Sequence, residues 1–177
     1  MIIGSDNPKL VVLINHNLPE GTAKDQSNGK AMPLTPDWMA QIIAKGGNNW
    51  RKVFNLYAKL CFTFREENNT ESSYASWQLY RDEALLADSE PYQLVCLSGK
   101  DLKRYYEQLS DNTLVLVTGK KCASELGITK NLHWLDQDFA QTIGRNALLC
   151  PYFDYRQLSN IKLERLSGLI QERISPK

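Results

Sequence analysis

Gln93-Leu94-Val95-Cys96-Leu97-Ser98-Gly99-Lys100 and Thr113-Leu114-Val115-Leu116-Val117-Thr118-Gly119-Lys120 decide the fold. Each is an apolar run of strand length that stops at a Ser/Thr-Gly-Lys turn, and each leads into a helical segment, 101–109 and 121–126. Uninterrupted β-branched and aliphatic runs fit strands covered on both faces. The two turns lie 20 residues apart, the length of one short βα unit. Strands alternating with helices at that spacing predict right-handed crossovers and a parallel sheet. Working outward, Leu10–Ile14 reads as a central strand, Leu132–Trp134 as a short one and Ala147–Cys150 as the last. The expectation is a single α/β domain over 1–177, three-layered, with a mainly parallel sheet of four or five strands flanked by helices.

Helix signals fill the remainder. Thr35-Pro36-Asp37 offers an N-cap, a proline at the first helical position and an early acid, with Gly46-Gly47 as the stop, which predicts a helix over 36–45. Trp50, Val53, Phe54, Tyr57, Ala58, Cys61 and Phe64 then recur at helical spacing and form one apolar stripe. Asn68-Asn69-Thr70 and Ser72-Ser73 mark a turn before a further helix within 74–87. Asp136 and Asp138 open a helix that Gly144 closes, and 156–174 forms the last helix, with Leu158, Leu163, Leu166, Leu169, Ile170 and Ile174 on its buried side. Residues 15–36 form a long loop, the kind that carries function or moves.

A chain of 177 residues with 42% hydrophobic and 23% charged residues is a globular composition, which excludes a disordered, collagen-like or coiled-coil protein. The net charge is +1, and it hides two blocks. Arg51, Lys52, Lys59 and Arg65 stand on the polar side of one helix, whereas 66–90 carries Glu66, Glu67, Glu71, Asp82, Glu83, Asp88 and Glu90 against the single Arg81. The blocks either dock on each other, face separate partners or are simply solvated. No secretory signal or membrane span is visible, so a soluble, cytoplasmic protein without membrane contact is expected. Cys61, Cys96, Cys122 and Cys150 lack CxxC or Cys/His spacing and read as buried, reduced thiols; no metal and no cofactor is expected.

In an open parallel sheet ligands bind outside the carboxyl ends of the strands. That edge receives Asn15-His16-Asn17, the two Ser/Thr-Gly-Lys turns, Trp134-Leu135-Asp136 and the stretch from Pro151 to Arg156. Gly119 and Lys120 are the better anion candidates, because Asp101 offsets the field at the first turn; a steric role for each glycine is the plain alternative. Neither turn is a P-loop, since Leu94 and Leu114 stand where its first glycine is required. His16, directly after a buried strand, suits a general base, while His133 is expected to pack. No GxSxG elbow or Ser-His-Asp order supports acyl transfer, and Asp154 and Glu20 each stand alone. Pro151, Tyr152, Asp154, Tyr155 and Arg156 crowd aromatics, an acid and a guanidinium into a strand-to-helix junction. Such a set suits stacking on a base and pairing with a phosphate, or else it forms an apolar cover with Arg156 bound to Asp154.

The order of these segments resembles the uracil-DNA glycosylase-like superfamily. Leu116-Val117-Thr118-Gly119-Lys120-Lys121-Cys122-Ala123 is similar to a strand ending in the family's G-K-x-A turn. Leu149-Cys150-Pro151-Tyr152 is similar to the later strand whose proline-containing loop leads to the last helix, with Cys150-Pro151-Tyr152 where the family has His-Pro-Ser. The first strand with its long loop, Gly29 and Pro33 included, looks like the first catalytic loop region. The resemblance covers most of the chain. It implies a parallel order 2-1-3-4, a nucleic acid or nucleotide partner, Asn15 or Asn17 near the water-positioning role, and Tyr152 or Arg156 against the nucleic acid. If catalytic, the protein would hydrolyse an N-glycosidic bond with a base extruded onto Tyr152 or Tyr155 and a water placed by Asn15 or His16. Two other functions fit the residues: a phosphate or small-molecule module, and an interaction protein that forms a homo-oligomer through its charged blocks.

Overall fold

The computed structural model describes residues 1–25, 29–67 and 74–174. In chain order it contains β1 (Ile2–Gly4), β2 (Leu10–Ile14), α1 (Pro36–Gly46), α2 (Asn48–Glu67), α3 (Trp77–Glu83), β3 (Tyr92–Cys96) and α4 (Gly99–Gln108). There follow β4 (Leu114–Thr118), α5 (Gly119–Leu126), β5 (Leu132–Trp134), β6 (Ala140–Thr142), β7 (Ala147–Cys150) and α6 (Asn160–Ile174). The turn expected at Asn68-Asn69-Thr70 and Ser72-Ser73, and the acid Glu71, lie outside the described residues, as do the side chains of Arg65, Glu66 and Glu67.

Among the described residues the strands make one mixed sheet of seven, in the order β1-β3-β2-β4-β7-β6-β5. This corrects the expectation of a mainly parallel sheet of four or five strands. The strands β3, β2, β4 and β7 do run parallel, with Leu10 opposite Tyr92 and Leu114, and Thr118 opposite Cys150. Antiparallel strands border them: β1 on β3, and the β5–β6 hairpin on β7. The strand β5 stands where a short strand is expected from Leu132 to Trp134, whereas β1 and β6, three residues each, are too short for periodicity to show. At Gly4 a Cβ would lie 2.3 Å from the Tyr92 carbonyl oxygen, so only glycine lets β1 close on β3.

The hairpin also replaces the helix expected from Asp136 to Gly144. The Asp136 carboxylate accepts hydrogen bonds from the backbone N–H of Asp138 and Phe139, each at 2.9 Å, and Leu135 N–H reaches the Phe139 carbonyl at 2.9 Å. The chemistry that caps a helix here closes a tight turn instead. The last helix begins at Asn160, later than the expected 156, because Asp154 organises a turn through Arg156 N–H (2.9 Å) and Leu158 N–H (2.8 Å).

Alternation along the buried strands produces two helical layers. Leu10, Val12, Ile14, Leu114, Leu116 and Leu148 face α1, α2, α3 and α6. Val11, Leu13, Val115, Val117 and Leu149 face α4 and α5. Each fully buried Val, Leu or Ile contributes on the order of 2 kcal/mol. Two buried polar ties fix the larger layer: Tyr57 Oη donates to the Gln93 carbonyl (3.0 Å), and Trp38 Nε1 donates to the Thr22 carbonyl (2.7 Å), which pins the long loop to α1. All four cysteines are free and buried. No helix among the described residues is long and apolar enough to cross a membrane.

Candidate functional site

Asn15 follows β2 directly and is buried; its Nδ2 donates to Glu125 Oε1 on α5 at 3.3 Å. The other carboxylate oxygen of Glu125 accepts from Gly99 N–H at 3.1 Å, so one acid ties the ends of β2 and β3 together. His16 and Asn17 are exposed. The His16 and Tyr152 rings meet edge to face with centroids 5.8 Å apart, and both line a small pocket of about 150 Å³ with Asn17, Gly46, Asn49 and Trp50.

Beyond Pro151-Tyr152 lies a larger cleft of about 460 Å³, within the range of small-ligand sites. Its floor is the end of β4 and β7, with Gly119, Leu149, Cys150 and Pro151; its rim carries Lys120, Arg156, Lys162 and Trp134. Gly119 sits at φ 81°, which a side chain would strain. Thr118 Oγ1 donates to the Leu13 carbonyl at 2.8 Å and locks this turn against β2. The Lys120 ammonium lies 5.3 Å from the centre of the half-exposed Trp134 ring, a contact worth about 0.5–1 kcal/mol at the surface. Lys162 pairs with Asp138 at 2.8 Å. Among the described residues no ion pair holds the guanidinium of Arg156, which is exposed.

Asp154 and Tyr155 face away from this cleft. Lys52 on α2 donates to Asp154 at 2.6 Å, and that bond, the Arg156 N–H and the charges of both cations hold the carboxyl below its usual range. Asn55 donates to Tyr155 Oη at 2.8 Å, and the Lys59 ammonium lies over the Tyr155 ring. The basic face of α2 therefore docks on the β7–α6 junction. Towards the acidic segment, Arg81 Nη1 donates to Asn55 at 2.6 Å and its Nε pairs with Asp82.

Burial pushes the Cys96 and Cys122 thiols up to about 12 and raises Cys150 further, so these thiols are protonated at neutral pH and unsuited to nucleophilic attack. Burial raises Tyr152 as well. His133 is exposed on β5, contrary to the packing expected of it. Among the described residues no group of His, Cys, Asp and Glu could hold a metal ion.

The structure thus brings Gly119, Lys120, Pro151 and Arg156 to one cleft, His16, Asn17 and Tyr152 to its neighbour, and leaves Asn15, Asp154 and Tyr155 in supporting contacts. Gln157 belongs to the amide-bearing strand-to-helix junction that the sequence marks, whereas Glu125, Gln137 and Lys162 carry no signal of a site, since isolated polar residues in expected helices read as solvated. Taken together, the chain is a three-layer α/β protein with a cationic, aromatic-rimmed cleft at the carboxyl edge of its parallel strands. It belongs to DUF6942, a family of unknown function, whose model matches residues 1–171. No curated protein and no solved structure matches the chain.

Proposed function

We propose that this protein is a diverged glycosylase-like protein that binds nucleic acid, with a nucleobase received at the carboxyl edge of the sheet. The observation that carries this is one cleft lined by the exposed Trp134 ring, by Lys120 and Arg156, and by Lys162 paired with Asp138, a combination suited to phosphate and base together. Two features add support. The parallel strands, numbered in chain order, lie as 2-1-3-4, the order implied by the resemblance to the uracil-DNA glycosylase-like superfamily. Tyr152 and the second pocket adjoin the cleft through Pro151, which extends the binding face past a single subsite.

The role is binding without N-glycosidic hydrolysis. Cys150, with its buried and protonated thiol, occupies the position of the family's motif histidine, and Asn15 is engaged by Glu125. His16 is the one exposed general-base candidate of the edge segments, and it faces Tyr152. Fluorescence anisotropy with a labelled single strand tests the proposal: binding should weaken steeply with salt and fall in Tyr152→Ala and Arg156→Ala. Absence of binding at low salt overturns it, and release of free uracil from a uracil-containing strand overturns the non-catalytic assignment.

A phosphate or small-molecule module is the alternative, favoured by the crowding of cations around a cleft of mononucleotide scale. It predicts a rise in Tm with inorganic phosphate or a mononucleotide, reduced in Lys120→Ala, and no affinity for the strand.

A further inference from the structure

We infer that the cleft holds one nucleotide unit of a single strand with its base stacked on Trp134, and that Lys120 passes from the Trp134 ring to the strand's phosphate as the base arrives. This rests on the nucleic-acid reading above and adds the subsite, the platform and the order of events.

Trp134 is not part of the parallel core. It lies on β5, the outermost strand of the sheet, and the hairpin with β6 sets its ring at the mouth of the cleft with 44% of its surface exposed. A large aromatic left open beside a cavity costs solvation and is the residue type that stacks on bases. Around it the lining is mixed in the way a base requires. Gln137 and Gln157 supply amide donors and acceptors for a base edge, and Arg156 supplies fixed N–H donors for a phosphate.

The Lys120 ammonium over the same ring decides how the subsite fills. An exposed cation–π contact amounts to roughly a two- to fivefold preference. Stacking of a base on an aromatic side chain amounts to roughly five- to 150-fold. The base therefore displaces the ammonium, and the freed charge stands on the helix turn at Gly119, on the rim that Arg156 shares. In the empty state Lys120 shields the apolar ring from water, and in the filled state it neutralises phosphate. A strand fits better than a free nucleotide, because Pro151-Tyr152 links this cleft to the pocket at His16 and Tyr152, where a neighbouring unit finds aromatic surface.

The experiment compares two short single-stranded DNAs of equal length, one of deoxyadenosine units and one abasic, titrated against wild type, Trp134→Ala, Trp134→Phe and Lys120→Ala. Trp134→Ala should bind the base-bearing strand about tenfold more weakly and the abasic strand unchanged, while Trp134→Phe keeps most of the affinity. Lys120→Ala should weaken both strands and flatten the salt dependence by about one phosphate contact. The inference fails if Trp134→Ala matches wild type on the base-bearing strand, or if it loses affinity equally for both strands. Adenosine monophosphate binding as tightly as the strand would also overturn it, since the second pocket would then contribute nothing. If wild type binds neither strand at low salt, the nucleic-acid reading falls and this inference with it.

Discussion

The two Ser/Thr-Gly-Lys turns share sequence, strand context and glycines with positive φ, 55° at Gly99 and 81° at Gly119, yet they have opposite fates. At the first, Glu125 reaches across from α5 and accepts the Gly99 N–H, so the place an anion would take already holds a carboxylate of the protein. At the second, no carboxylate among the described residues bonds the turn, and Lys120 and Gly119 open onto the large cleft. The difference lies in what the rest of the fold lays over each turn. Whether such a turn can take an anion therefore depends on what the fold lays over it as much as on its own residues.

Removing Glu125 is the strongest way to break this contrast. Glu125→Ala leaves the buried Asn15 Nδ2 without its acceptor and opens the exposed Gly99 N–H to water, and should cost about 2 kcal/mol in urea unfolding, with Glu125→Gln costing about half. The emptied turn should also gain an anion: phosphate should raise the Tm of Glu125→Ala by more than that of wild type. Equal gains would mean that the carboxylate was not what closed the first turn.

Charge reversal sharpens the contrast from the other side. Lys120→Glu should weaken single-strand binding about tenfold, roughly 1.4 kcal/mol, in anisotropy titrations at low salt. A smaller effect, about 1 kcal/mol, attaches to the pair that keeps Arg156 available to the second turn. Because Lys52 binds Asp154, the acid does not close on Arg156 as a local ion pair would require. The folded-state pKa of Asp154 lies below its unfolded value of about 3.9, so its contribution is present above that pH and is lost as pH falls through the folded value. The stability difference between wild type and Asp154→Asn should be constant near neutrality and vanish under acid. A difference that persists at the acid end would assign the stabilisation to something other than the charge. The smallest effect belongs to Lys100→Ala, which should leave stability within about 0.5 kcal/mol and strand affinity unchanged.

The parallel core was legible because buried strands must be apolar on both faces, and Leu10–Ile14 or Leu114–Thr118 has no other comfortable conformation. Leu10, Val12 and Val11, Leu13 even announce the two layers, once strand alternation is applied. What stayed hidden depends on long-range pairing. Ile2-Ile3-Gly4 is too short to declare itself, and Asp136 caps a turn as readily as a helix until Ala140 finds Leu149. The location of the cleft followed from topology, and Lys120, Pro151 and Arg156 line it together. The partition between supporting and open residues did not. Asp154 and Tyr155 look as suited to a ligand as Arg156, and only the arrival of α2, with Lys52 and Asn55, removes them from it.

The central strand β2 has another consequence, one that concerns time. Its two neighbours carry Tyr92 and Leu114, so Leu10 meets neither until more than half the chain has been made. During synthesis α1, α2 and α3 emerge with an apolar stripe, from Trp38 to Tyr80, and no sheet to cover it. Non-local pairing of this kind slows folding and prolongs the exposure of sticky surface. The segment from Leu10 to Tyr80 is accordingly where a nascent chain would need a chaperone, and slowed elongation ahead of Tyr92 should lower the yield of folded protein.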